Sequence, residues 1–319
     1  MAKKKSNNLI LIIAFLILAG VFGAYHFLDF GKNERSFRSE FFSLDTALVN
    51  KITLYPKNER HVEVVLKRAD NGWLVSREGA IDAPVQSGKI KNTLTSLTQM
   101  KPSRVVANKQ AKWADYEIEE GVATHVIVET SDGEKADFYV GKYSINQQTQ
   151  ASLTYIRVTG ENEVYAANGF FNMAFDQSHD QWRDNRCMTI NDYQSVSKVD
   201  FSYPKPIENF SLQKQDDKWL LTKAISDSNV EETDKTKVEN YLRSLAIVNG
   251  TFFLDGFKAS NEAKTTLTVE AGGETYTVDS YEIEPNRFAV IGSQYPNNIF
   301  RTDSNQIIKR VFKQPADFQ

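Results

Sequence analysis

Apolar positions along the chain follow first a period of two and then a helical period, and this succession occurs twice. "VNKITLYP" (49–56) and "VSKVDFSYP" (196–204) alternate apolar and polar residues, the mark of a strand with one buried face. "VVLKRADNGWLV" (64–75) and "FSLQKQDDKWLL" (210–221) each predict two short strands around a polar turn. The turns are Asp70-Asn71-Gly72 and Asp216-Asp217-Lys218, and each segment closes on Trp-Leu, at Trp73 and Trp219. The period then becomes helical. "KIKNTLTSL" (89–97) puts Ile90, Leu94 and Leu97 on one face, and "KVENYLRSL" (237–245) repeats the stripe with Val238, Leu242 and Leu245. Asn92 and Ser96 return as Asn240 and Ser244. "THVIVETSDGE" (124–134) and "TTLTVEAGGE" (265–274) then give a strand and a glycine-containing turn. The paired segments are offset by 147, 146, 148 and 141 residues, so order and spacing are both kept.

The repetition predicts a tandem duplication. Each module is a mainly antiparallel sheet with one packed helix, and the fold class is α+β. The first module covers 45–167 and the second 191–319. Trp73 and Trp219 are expected as core anchors where hairpin meets helix. The late strands diverge: "YIRVTGENEVYAA" (155–167) reads as a hairpin turning at Gly160, and "RFAVIGSQYPNNIFRT" (287–302) as the same hairpin with a longer tip. Residues 168–190 are expected to form a connecting helix. Phe171, Phe175, Ser178 and Trp182 share one helical face there, and Asp176, Asp180 and Asp184 another. Within "WRD" (182–184), Arg183 is expected to clamp a carboxylate or the backbone oxygens of a neighbouring strand.

The N-terminus departs from both rhythms. Residues 9–28, "LILIIAFLILAGVFGAYHFL", are twenty residues without a formal charge. At about 1.5 Å per residue they span about 30 Å, the thickness of a bilayer core. The basic tail 1–8 carries Lys3, Lys4 and Lys5, which favours a cytoplasmic N-terminus and an extracytoplasmic body. The expectation is a single-pass anchor in a bacterial inner membrane, followed by a linker over 29–44. A cleaved signal peptide is the rival reading. Ala19, Gly20, Gly23 and Ala24 place small residues four apart, the spacing that lets membrane helices approach closely.

Composition adds exclusions. Net charge is -3 over 319 residues, and without the three N-terminal lysines the remainder is more acidic still. That argues against nucleic-acid binding. A single cysteine, Cys187, excludes an intramolecular disulfide. There is no phosphate loop, nucleophile elbow, paired-histidine zinc motif or acidic calcium loop. Asp176, His179, Asp180 and Asp184 form the most metal-like spacing, for which a divalent ion is geometrically possible, but the reading preferred is a solvated helix face with Arg183 and Arg186 supplying opposite charge. No catalytic, cofactor or metal residue is expected, and the chain is expected not to be an enzyme. The bland reading of Cys187 is a small buried residue.

The basic start, the apolar run, the "V-x-K-I" strands, the Trp-closed hairpin, "FYVGK" (138–142), "YIRV" (155–158), "VYAA" (164–167) and then "WRD" resemble the domain-of-unknown-function 4340 family. The resemblance implies a single-anchor extracytoplasmic protein associated with ABC transporters of the gliding-motility type. The implied partners are the permease and ATPase subunits and a larger extracytoplasmic auxiliary subunit. It implies no catalytic residue. Two functions follow as expectations: a non-enzymatic accessory subunit of such a complex whose tandem-repeat body mediates protein–protein contact, or an extracytoplasmic lipid- or glycan-binding module.

Overall fold

The computed structural model describes residues 15, 38–145, 147, 148, 150–224, 230–259 and 262–319. The basic tail, the packing residues Ala19, Gly20, Gly23 and Ala24, and the linker up to residue 37 lie outside the described residues. Among the described residues no helix is long and apolar enough to cross a membrane. The chain forms two compact units: Met1–Val49 with Leu94–Phe175, and Asn50–Thr93 with Asp176–Gln319.

In chain order, β1 (Val49–Tyr55), β2 (Val64–Ala69), β3 (Gly72–Ser76) and β4 (Ala83–Pro84) precede helix α1 (Ser87–Gln99). Then come β5 (Pro102–Ala107), β6 (Thr124–Thr130), β7 (Lys135–Ile145), β8 (Ser152–Val158) and β9 (Val164–Asn168). Two one-turn helices follow, α2 (Asn172–Phe175) and α3 (His179–Trp182). The remaining strands are β10 (Arg186–Thr189), β11 (Val196–Ser202), β12 (Phe210–Gln215), β13 (Lys218–Lys223) and β14 (Val230–Glu232), before helix α4 (Lys235–Leu245). The chain ends with β15 (Ile247–Asn249), β16 (Phe252–Phe253), β17 (Thr265–Ala271), β18 (Glu274–Glu284), β19 (Arg287–Gly292), β20 (Ile299–Asp303) and the short helix α5 (Lys309–Val311).

The fold is sheet-rich α+β, with antiparallel pairing throughout the described ladders. In the first unit the strands lie in the order β6-β7-β8-β9-β5. The second unit contains the run β4-β3-β2-β1 and the nine-stranded sheet β14-β13-β12-β11-β17-β18-β19-β20-β16. Strand β6 alternates strictly, with Thr124, Val126, Val128 and Thr130 buried, as a one-sided strand must. Gly272 and Gly273 both take positive φ, 58° and 83°, at the β17–β18 hairpin, the backbone its two-residue turn requires.

Helix α4 is capped by Asp234, whose carboxylate accepts from the amides of Thr236 (2.9 Å) and Lys237 (3.2 Å). It buries Val238, Tyr241, Leu242 and Leu245, spaced for one helical face. The Tyr241 hydroxyl donates to the Val311 carbonyl at 2.6 Å, so the buried ring leaves no orphaned oxygen. Beside it Phe201 and Phe210 stack at 4.3 Å, and Phe318 closes the aromatic group. In the first unit Phe138 takes Phe175 edge-on at 5.5 Å and Phe42 at 5.1 Å. Arg38 pairs with Glu161 at 2.8 Å.

Two expectations are corrected. Residues 168–190 do not form one connecting helix. Asn168 belongs to β9, the two helical turns stop at Phe175 and Trp182, and residues 186–189 are strand β10. Ser178 starts α3 afresh through a capping box with Gln181. Arg183 then turns extended (φ -56°, ψ 150°) because its backbone bridges Val85 and the Asp184 amide donates to the Pro84 carbonyl at 2.8 Å. The aromatic period imitates a helix, yet Phe171, Phe175 and Trp182 are buried individually from three different pieces of backbone. The two tryptophans also differ. Trp219 is 3% exposed within the second unit's core, whereas Trp73 is half-buried with the Arg68 guanidinium 5.3 Å from its ring.

Candidate functional site

Helix α3 and the three residues after it hold the densest group of buried charges in the second unit. Trp182 and Arg183 are 0% and 1% exposed. Because the backbone straightens at residue 183, the Arg183 side chain passes under the loop after β16. There its two terminal nitrogens donate to the two carboxylate oxygens of Asp255, both at 2.8 Å. This is the fork-to-fork geometry that makes arginine–carboxylate pairs directional. The guanidinium carbon lies 3.6 Å from the Phe253 ring centroid, and the Asp180 carboxylate is a third contact at 3.4 Å. Trp182 Nε1 and Arg183 Nε are buried without a hydrogen-bond partner among the described residues.

The neighbouring polar groups are spent on backbone and on one another. Lys89 of α1 donates from Nζ to the carbonyls of Gln181 and Arg183, the latter at 3.2 Å, which caps the exit from α3. Burial pulls the Lys89 ammonium below its usual value, against the opposing field of Asp184. Asp184, 6% exposed, accepts from the Arg186 amide (3.1 Å) and from its Nε (2.9 Å). That hydrogen bond raises Arg186. His179 is fully buried, with Nε2 3.1 Å from the Ile81 carbonyl and Nδ1 3.2 Å from the Asp180 carboxylate. Asp180 lies below the usual carboxylate range through the His179 hydrogen bond, which with Arg183 outweighs its desolvation. Asp176 accepts from the Asn58 amide at 3.1 Å. Asp176, Asp180 and Asp184 therefore share no face. Among the described residues no group of three or more His, Cys, Asp or Glu side chains converges as metal ligands would. Cys187 is 0% exposed, and burial pushes its thiol up to about 12, far from a nucleophilic thiolate.

Beside the Arg183–Asp255 pair is a cleft of about 260 Å³, bordered by Ile81 and Pro84, by Arg183 and Asp255, and by Asn297 and Asn298. Asn298 donates to the Arg186 carbonyl at 3.0 Å, so this border too is tied to β10. The chemistry available is recognition and bracing: a carboxylate held by a fork of donors and carbonyls held by an ammonium and an amide.

A family model described as domain of unknown function (DUF4340) matches residues 76–269, more than half of the chain. The chain belongs to the DUF4340 family. No curated protein and no solved structure matches it. The DUF4340 match runs from the last residue of β3 into β17 and contains α1, the "WRD" segment, α4 and Asp255. The buried charge group thus falls wholly within the matched residues.

Sequence reasoning singled out Phe171, Phe175, Trp182, Arg183 and Asp184. It missed Lys89 and Asp255, whose roles depend on contacts 94 and 72 residues away. It also missed a second buried cation, inside the DUF4340 match and in the first unit. Arg157 of "YIRV" is 2% exposed and lies between the rings of Trp113 (3.8 Å) and Tyr139 (4.2 Å). His125 stacks on Tyr139 at 4.4 Å. His125, Tyr139 and Arg157 are successive cross-strand partners on β6, β7 and β8, so the ladder follows from register. The Arg157 Nε donates to the Ile118 carbonyl at 3.4 Å, and its closest carboxylate, Glu120, is 3.9 Å away.

Proposed function

We propose that this DUF4340 protein is a non-enzymatic, membrane-anchored accessory subunit of an ABC-type transporter or envelope complex of the gliding-motility type. In this reading residues 9–28 form a single span with the N-terminus in the cytoplasm, and 29–44 tether the body on the extracytoplasmic side. The body consists of two α+β modules, 45–167 and 191–319. It contacts a larger auxiliary subunit, while the span packs on the permease through Ala19, Gly20, Gly23 and Ala24. ATP is hydrolysed by a separate subunit.

The observation that carries the non-enzymatic part is the fate of the chemistry-bearing side chains around "WRD". Lys89, Asp176, His179, Arg183, Asp184 and Arg186 each hold backbone or a neighbouring charge in place. Duplication is supported by strand order, since β4-β3-β2-β1 runs as β14-β13-β12-β11 does, and β6-β7-β8-β9-β5 runs as β17-β18-β19-β20-β16 does. The membrane part is supported by the length and apolarity of 9–28 and by the lysines before it.

The test is mild-detergent affinity purification of the tagged full-length chain, with every co-eluting chain identified by mass spectrometry. The expected result is an ATPase and a multi-span permease in fixed ratio, lost on Gly20→Leu. Elution of the chain alone across several detergents overturns the reading.

A further inference from the structure

The sheet of the first unit carries its apolar face past its own core. Val140 of β7 pairs with Ile156 of β8; the register then shifts, so that Tyr143 pairs with Thr154 and Ile145 with Ser152. Ile156, Thr154 and Ser152 are two apart and share one face of β8, so Tyr143 and Ile145 continue the face of Val140. Val140 is 2% exposed, whereas Tyr143 and Ile145 are 52% and 56% exposed. The segment after β9 adds to this end of the unit. In "GFFNMAF" (169–175) Phe171 and Phe175 are buried, while Phe170 and Met173 are exposed, and the Phe170 ring meets Tyr143 edge-on at 4.5 Å. The backbone beneath is braced. The Thr154 hydroxyl donates to the Gly169 carbonyl at 2.8 Å and accepts from the Phe171 amide at 3.1 Å, and Asn172 Nδ2 donates to the Gly141 carbonyl at 2.8 Å. A face held in place before contact loses little entropy on contact.

Charge selects the occupant. Residues 143–156 and 164–175 contain no Asp, Glu, Lys or Arg, in a chain of which 25% is charged and whose net charge is negative. Around a two-fold axis each side chain near the axis faces its own copy, so a charge there meets a like charge. Two copies of an acidic chain can close on this face without that penalty. We infer that Tyr143, Ile145, Phe170 and Met173 form the centre of an isologous contact between two copies of this chain. The area fits. Four side chains of about 200 Å² each, about half free, offer about 400 Å² per copy. That is about half of the 800 Å² that each partner of a standard interface contributes. The exposed Gln147, Gln148 and Gln150, in the connection from β7 to β8, supply the uncharged polar rim that surrounds such a centre.

The test measures the molar mass of the full-length chain by light scattering over a dilution series, with the mass of bound detergent subtracted. Two chains per particle are expected. Met173→Glu, at an exposed position, should weaken the association about a hundredfold with an unchanged melting midpoint, because the new carboxylate meets its own copy. Mixing Met173→Glu with Met173→Lys under two different tags should restore a dimer holding one chain of each. A mixture that stays monomeric overturns the two-fold arrangement. An unaltered chain that is monomeric throughout the series overturns the contact itself. A dimer that survives both Met173→Glu and Phe170→Glu also overturns it, since the copies then meet elsewhere, for example through the small residues of 9–28. If the chain is monomeric and Met173→Glu instead abolishes co-elution of a different protein, the face belongs to that protein and the second-copy assignment falls. The accessory-subunit reading fails separately, by the absence of a co-eluting ATPase and permease, whichever mass is found.

Discussion

At the scale of single residues, the energetics turn on two buried arginines. Arg183 is buried and its charge is answered mainly by Asp255. Removing one partner of such a pair leaves a desolvated charge uncompensated, which costs more than the intact pair contributes. Asp255→Ala should therefore destabilise the protein by about 3 kcal/mol, read as a shift of the urea midpoint. Adding Arg183→Met should recover part of that loss, because the second change removes the stranded charge. If the double variant is no better than the single, the guanidinium is not what makes Asp255 matter. Cys187 gives an independent check. With its thiol buried and raised to about 12, it should resist iodoacetamide at pH 8 in the native protein and react fully in urea. Native-state labelling at the rate of a free thiol would contradict the placement of β10. None of these partnerships could be read from the sequence: "WRD" marks Arg183 as noteworthy, but nothing near it names Asp255.

At the scale of elements, the ribbon of β10 and β15 depends on two glycines. A Cβ at Gly250, just after β15, would lie 2.0 Å from the Phe300 ring, and one at Gly292, the end of β19, would lie 1.8 Å from the Cys187 carbonyl oxygen. Neither neighbour can retreat, since one is a fully buried ring and the other is strand backbone. Gly250→Ala and Gly292→Ala are each expected to cost about 3 kcal/mol or more. Gly133, at an open turn with nothing within 4 Å of its Cβ position, serves as the comparison. It should lose only the smaller strain of its positive φ of 92°. Equal losses at all three would mean that packing is not the cause. Helix α4 was legible in the sequence because its apolar stripe of Val238, Leu242 and Leu245 is local; its Asp234 cap was added by the structure. The segment 168–190 was not, because its helical period is a coincidence of aromatics that the backbone buries separately.

At the scale of the whole molecule, acid should be the condition that tests the charge groups of both units together. Asp137 is desolvated, which alone would raise it, but hydrogen bonds from Thr159, His125 and Lys135 bring it below the usual carboxylate value. Asp180 is lowered chiefly by its bond to His179. A carboxylate whose folded value is depressed stabilises the fold at any pH above its unfolded value of about 3.9, and that contribution disappears as pH falls further. The melting midpoint should be flat from pH 7 to about 5 in these terms and fall below about 4, and Asp137→Asn with Asp180→Asn should flatten the acid limb. A limb of unchanged steepness would place the acid sensitivity elsewhere. The extent of the second repeat has its own test. A fragment 191–319 lacks β10, whose Cys187 and Met188 are buried in the second unit's core. It should be less stable than 186–319 by about 3 kcal/mol, the burial of two apolar side chains. Equal stability would show that the sheet β11–β20 holds without the ribbon.

The sequence by itself determined the features that need only near neighbours: the alternating strands, the two helical stripes, the hairpin turns, the twenty-residue apolar run and the order in which the elements come. Those depend on periods of two or 3.6 residues and on turn chemistry, which act over a few positions. Only the tertiary structure decided where each charge finds its partner, that Trp219 is core while Trp73 is half-buried, and that the "WRD" segment is extended. Each of these depends on residues dozens of positions apart meeting at one point, and on backbone groups taking whichever acceptor the folded sheets bring to them.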